Sequence, residues 1–69
     1  MWIKINDLRI DLSKVSEYIK TNDSVRFYYP IFTGECNDEQ YYEEVKTDSE
    51  LEAKGIVKEL DKLLNIVEL

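Results

Sequence analysis

Any chemistry in this 69-residue chain would come from one cysteine, fifteen carboxylates, nine basic side chains and eight aromatic rings, because it contains no histidine. Cys36 sits in Gly34-Glu35-Cys36-Asn37-Asp38. A nucleophilic role needs a thiolate, which nearby cations or an imidazole favour. Acids flank this thiol instead, so Cys36 reads as an incidental loop cysteine. One cysteine and no histidine leave no usual zinc ligand set. Asn37-Asp38-Glu39 lacks the alternating oxygen ligands and tight glycine turn of a calcium loop. Glu43 and Glu44 are adjacent, so on a strand they point to opposite faces and do not form a general acid–base pair. There is also no glycine-rich phosphate loop. The expectation is a protein that is not an enzyme and carries no cofactor or metal.

The carboxylates are segregated. Between Glu35 and Glu52 lie eight acids and one base, a local charge of −7, while the rest of the chain sums to +1. Binding to nucleic acid needs clustered Lys and Arg, so that class is disfavoured. The residues expected to meet a basic partner are Glu35, Asp38, Glu39, Glu43 and Glu44. Lys54, Lys58 and Lys62 form a row at helical spacing, but Glu59 and Asp61 interleave with it, so it reads as an ordinary solvated face.

These side chains need elements to hold them. The spacing predicts a hairpin of Trp2–Ile5 and Leu8–Leu12 around an Asn6-Asp7 turn, with Ile3, Ile5, Leu8, Ile10 and Leu12 on one face. A weaker strand, Val15–Lys20, precedes the turn cluster Thr21–Ser24. Val25–Phe32 is the strongest strand, with Val25, Phe27, Tyr29 and Ile31 on one face. A turn of two or four residues pairs Tyr18 with Phe27, whereas one of three pairs Ile19 with Phe27. A bulge near Ser16-Glu17 would let Val15 and Tyr18 share the core face. Pro30 cannot donate to a ladder and marks a strand edge or end. A polar loop, Thr33–Glu39, leads to a last strand, Gln40–Lys46. An inward Glu43 would need a partner or a place at the sheet margin.

The final stretch, Ser49–Leu69, is predicted as an amphipathic helix. At about 100° per residue, Leu63, Ile56, Val67, Leu60, Ala53, Leu64 and Val57 fall in one apolar arc of roughly 120°. Thr47-Asp48-Ser49-Glu50 and Ser49-Glu50-Leu51-Glu52 both fit a capping box, and Asp48 is a third cap candidate. Gly55 lies on the flank of the arc and costs helix propensity without a packing reason in the sequence.

The architecture expected is one α+β domain, an antiparallel, meander-like sheet of four or five strands with one C-terminal helix packed on one face. One helix covers one face only. Trp2, Tyr28, Phe32 and Tyr42 fall on the reverse face, and an exposed aromatic cluster of that kind marks an interface. A chain this short buries only about 60% of its unfolded surface, so stability must come from a small core, or from that core plus an oligomer interface.

Trp2-Ile3-Lys4-Ile5-Asn6, Ile10-Asp11-Leu12-Ser13-Lys14-Val15-Ser16 and Asp48-Ser49-Glu50 resemble motifs of a broad set of small bacterial and mobile-element proteins of uncharacterised activity. That set opens on W-I-K-hydrophobic-N and ends in an acid-capped helix. The likeness covers the two ends better than the middle, where residues 31–40 look like an insertion. It implies a sheet-plus-helix fold and no activity.

The function expected is a small acidic protein-interaction module, a homodimer through the aromatic face. A concrete version is a phage or mobile-element inhibitor that covers a basic, nucleic-acid-binding surface of a host protein. The alternative is a binder of a small ligand or nucleotide signal, with aromatic rings stacking a base in a dimer cleft. No apolar run approaches the ~20 residues needed to span a bilayer, and Met1–Ile5 lacks a signal-peptide pattern, so a cytoplasmic protein is expected.

Overall fold

The computed structural model describes residues 1–35 and 38–69. Strands β1 (Trp2–Ile5), β2 (Leu8–Asp11), β3 (Glu17–Lys20), β4 (Ser24–Thr33) and β5 (Glu39–Lys46) are followed by one helix, α1 (Glu50–Leu63). All pairings are antiparallel. The α+β class and the C-terminal helix are as the periodicities predict. The strands are shared between a two-stranded sheet, β1-β2, and a three-stranded sheet, β3-β4-β5.

The division falls at Leu12–Lys14, a single 3₁₀ turn. Asp11 caps it, accepting from the Ser13 amide at 3.1 Å and the Ser13 hydroxyl at 2.7 Å. A short polar side chain that bonds the backbone two residues on offers an alternative to the ladder, and the chain turns out of β2 there. Val15 lies in this connection rather than on a strand, yet it packs against the core as Tyr18 does, and the Ser16 amide donates at 2.8 Å to the carbonyl of Tyr28, the residue opposite Glu17, as the expected bulge would have it.

Hairpin register follows turn length. Ile5 pairs with Leu8 and Ile3 with Ile10 around the two-residue turn. Asn6 takes a φ of +54° there, a left-handed conformation that asparagine tolerates. Lys20 pairs with Val25 and Tyr18 with Phe27, the outcome of a four-residue turn. The Thr21 amide closes that turn on the Ser24 carbonyl at 2.9 Å.

β4 does not end at Pro30. Tyr28 faces Tyr42, but Phe32 faces Gln40, so three residues of β4 lie opposite one of β5. Proline removes a ladder donor, which suits a bulge. Gln40 bridges it. Its Nε2 donates to the Tyr29 carbonyl at 2.9 Å and to Ser16 Oγ at 3.2 Å. Within the bulge the inward alternation is lost, and Ile31, predicted to join Val25 and Phe27, is 53% exposed.

The core is small. Ile10, Val25, Phe27, Val45, Ala53 and Leu60 are its buried apolar residues, with Ile3, Ile5, Leu8, Leu12, Tyr18, Ile56 and Val57 among those packed around them. Both the β1-β2 hairpin and α1 therefore contribute to the inner face of the three-stranded sheet.

Of the three cap candidates, Ser49 caps α1, its side chain accepting from the Glu52 amide at 3.2 Å. The helix ends at Leu63 instead of running on to Leu69 as its apolar arc predicts. Asn65 adopts a φ of +54°. The Ile66 amide reaches back to the Asp61 carbonyl at 2.9 Å and the Asn65 amide to the Lys62 carbonyl at 3.3 Å. This is a Schellman stop, with asparagine in the position usually held by glycine. Val67, counted in the predicted apolar arc, is consequently off the helix and 77% exposed.

Candidate interaction surface

The outer face of the three-stranded sheet is set by register. Glu17, Tyr28 and Tyr42 form one row across it, and Ile19, Arg26 and Glu44 the next. Tyr28 and Tyr42 meet as a tilted pair with ring centroids 5.1 Å apart. Such cross-strand aromatic pairs stabilise a sheet beyond the area they bury. The Arg26 guanidinium lies 4.8 Å from the Tyr42 ring centroid, a cation–π arrangement. Ile19 and Tyr42 nonetheless remain 40% exposed.

The four aromatic residues expected on one face are not all brought together. Tyr28 and Tyr42 are joined directly. Phe32 lies beyond the bulge on the outer part of the β4–β5 hairpin and is 54% exposed; Trp2 belongs to the other sheet, opposite Asp11, and is 69% exposed. Exposed Ile19 extends the apolar surface of the outer face, whereas Tyr41 lies on the Glu43 side of the sheet and pairs with Tyr29 at 5.6 Å between ring centroids. Ile19 is legible as outward only once a three-residue turn is ruled out.

The five candidate acids also divide. Glu35, Asp38 and Glu39 are exposed at the tip of the β4–β5 hairpin. There Gly34 takes a φ of +95°, a conformation open to glycine at little cost. Glu43 faces inward opposite Phe27. It lies near the Tyr29 phenol, which burial first, and Glu43 second, push up to about 12. Glu44 faces outward and is internally neutralised. It accepts from Arg26 Nε at 2.7 Å and Ser24 Oγ at 3.0 Å, and pairs with Lys46 Nζ at 3.2 Å. The Arg26 hydrogen bond, then that of Lys46, holds the Glu44 carboxyl down at about 2. The same contact with Glu44 raises Arg26 above its ordinary value. The network occupies one end of the outer face, and of the five candidate acids it leaves Glu35, Asp38 and Glu39 open to a basic partner.

The expectation for Cys36 falls outside the described residues. Among the described residues no group of three acids, cysteines or histidines converges as a metal site would. Among the same residues no helix is long and apolar enough to cross a membrane. Compared with known proteins, the chain significantly matches no family model, no curated protein and no solved structure.

Proposed function

We propose that this is a protein-interaction module, a binding protein and not an enzyme, that dimerises through the outer face of its three-stranded sheet. One observation carries the reading: hairpin and helix both pack on the inner face, while Ile19, Tyr42 and Phe32 stay substantially exposed on the outer side and the hairpin arm. Aromatic residues and arginine are the types that dominate binding energy at interfaces. A stable interface takes about 800 Å² per partner, roughly 15% of this chain's 5310 Å² surface.

In this reading the hairpin-tip acids Glu35, Asp38 and Glu39 contact a basic protein surface. The net charge of −6 speeds encounter with such a surface. The resemblance to mobile-element proteins favours a version in which a phage or mobile-element inhibitor acts in the cytoplasm on a host protein's nucleic-acid-binding surface. The test compares wild type with a variant charge-reversed at Glu35, Asp38 and Glu39 in capture from host lysate. One basic protein retained by wild type and lost by the variant supports the reading. Identical retention by both contradicts it.

A further inference from the structure

A groove of roughly 770 Å³ runs between β1 and α1, with an apolar floor of Ile3, Ile5, Ile56, Leu60 and Leu63. Its size is that of ordinary ligand sites. The helical wall contributes Glu52, Gly55 and Glu59. At about 100° per residue Glu59, Glu52, Leu63 and Ile56 fall within one sector of about 60°, Gly55 lies at its margin next to Lys62, and Lys54 and Lys58 lie farther round. The strand wall contributes Lys4.

Gly55 is the informative residue. It occupies mid-helix, where glycine costs stability relative to alanine. Its φ is not left-handed, and a Cβ there would meet nothing within 4 Å. No contact within the chain explains the missing side chain, whereas close approach of another backbone along the groove does. Glu52 and Glu59 bracket it, seven residues and so about 10 Å apart along the axis. Neither takes part in the ion pairs formed among the described residues.

The charges select the occupant. Packing the Glu52/Glu59 side of α1 from a second copy here would set the two glutamates of each chain against those of the other, and like charges at an interface disfavour that partner. A helix with basic side chains at matching seven-residue spacing pairs with both glutamates, lays its apolar stripe on the isoleucine and leucine floor, and passes closest at Gly55. We infer that the β1–α1 groove docks an amphipathic helix of a partner protein that carries Lys or Arg along one flank. This rests on the reading of a basic partner, but on residues distinct from the hairpin tip.

The test uses two fluorescent, end-capped helical peptides with the same leucine stripe, one flanked by lysine and one by glutamate, titrated with the intact protein by anisotropy. Saturable binding of the lysine peptide, about tenfold tighter than the glutamate peptide, is expected from two rim ion pairs on an apolar anchor. The Glu52→Lys/Glu59→Lys variant reverses the order. Gly55→Ala raises the melting temperature through helix propensity yet weakens the lysine peptide about fivefold, a combination that a merely structural glycine would not give. Charge reversal at Asp38 and Glu39 leaves peptide affinity unchanged, whatever it does to the partner sought by lysate capture. The inference is overturned if neither peptide saturates, if Glu52→Lys/Glu59→Lys leaves the order intact, or if Gly55→Ala binds as wild type. It is also overturned if Glu52→Lys/Glu59→Lys makes the protein dimerise more tightly, which would give the groove to a second copy.

Discussion

The Tyr18 hydroxyl donates a 2.7 Å hydrogen bond to Oδ1 of Asp61, joining β3 to the last turn of α1 across 43 positions of sequence. The contact is partly buried, and the Tyr18 ring also packs against Phe27 with centroids 6.1 Å apart. One side chain therefore anchors the helix by both apolar packing and a charge-assisted hydrogen bond. Tyr18→Phe keeps the packing and removes the bond, and a loss of about 1 kcal/mol in chemical denaturation is expected.

The same phenol makes a prediction in alkali. Burial first, and then the hydrogen bond to Asp61, push Tyr18 up to about 12 from 10.0, and Tyr29 is pushed to about 12 as well. Folding thus favours the neutral phenols. Their contribution is complete below about pH 10 and is lost as pH rises through the folded-state values near 12. Melting curves across that window should fall steeply for wild type and less steeply for Tyr18→Phe/Tyr29→Phe. Equal slopes would show that these phenols do not couple to folding.

Glu44 governs the opposite limb. Its carboxyl is held at about 2 against an ordinary 4.5, chiefly by Arg26. A depressed carboxylate contributes stability that is present above the unfolded value and lost as pH falls through the folded one. Wild type should lose this increment between pH 4.5 and about 2. Glu44→Gln should be less stable at neutral pH by about 1 kcal/mol, the upper end for a surface pair, and show a shallower acid limb.

Both ends of α1 can be tested separately. Ser49→Ala removes the cap on the Glu52 amide, and a loss of about 1 kcal/mol is expected. At Asn65, with φ of +54°, glycine should be neutral or slightly stabilising, whereas valine should cost about 1–2 kcal/mol through the left-handed backbone. If Asn65→Val is harmless, or if helicity rises with it, the helix does not stop where the Schellman bonds place it.

The parts of this fold that are legible in sequence are those set by short-range pattern. Asn6-Asp7 between alternating apolar residues marks the first hairpin and its register. Ser49-Glu50-Leu51-Glu52 marks the helix start, though Thr47 and Asp48 compete with it until the Ser49–Glu52 bond decides. Adjacency alone puts Glu43 and Glu44 on opposite faces. What stays hidden depends on partners distant in sequence. The bulge at Pro30 is bridged by Gln40, whose side chain reaches Tyr29 and Ser16. Asn65 sits on the polar side of the helical projection and looks like one more exposed residue unless its φ is known. Glu44 counts as a free acid in the sequence because Arg26 and Ser24 lie about twenty positions away. The division of the sheet follows from the Asp11–Ser13 turn, a local signal masked by the apolar residues Leu12 and Val15 around it.

The central claim, self-association through the outer sheet face, is tested most directly by sedimentation velocity over rising protein concentration, with Phe32→Lys/Tyr42→Lys alongside wild type. Phe32 is 54% and Tyr42 40% exposed, and because Tyr42→Lys also removes the contacts with Tyr28 and Arg26, the comparison uses the variant under conditions where circular dichroism shows it folded. A wild-type dimer that the two lysines convert to monomer is predicted. A wild type that stays monomeric at the highest concentration, or a dimer indifferent to both lysines, would contradict it.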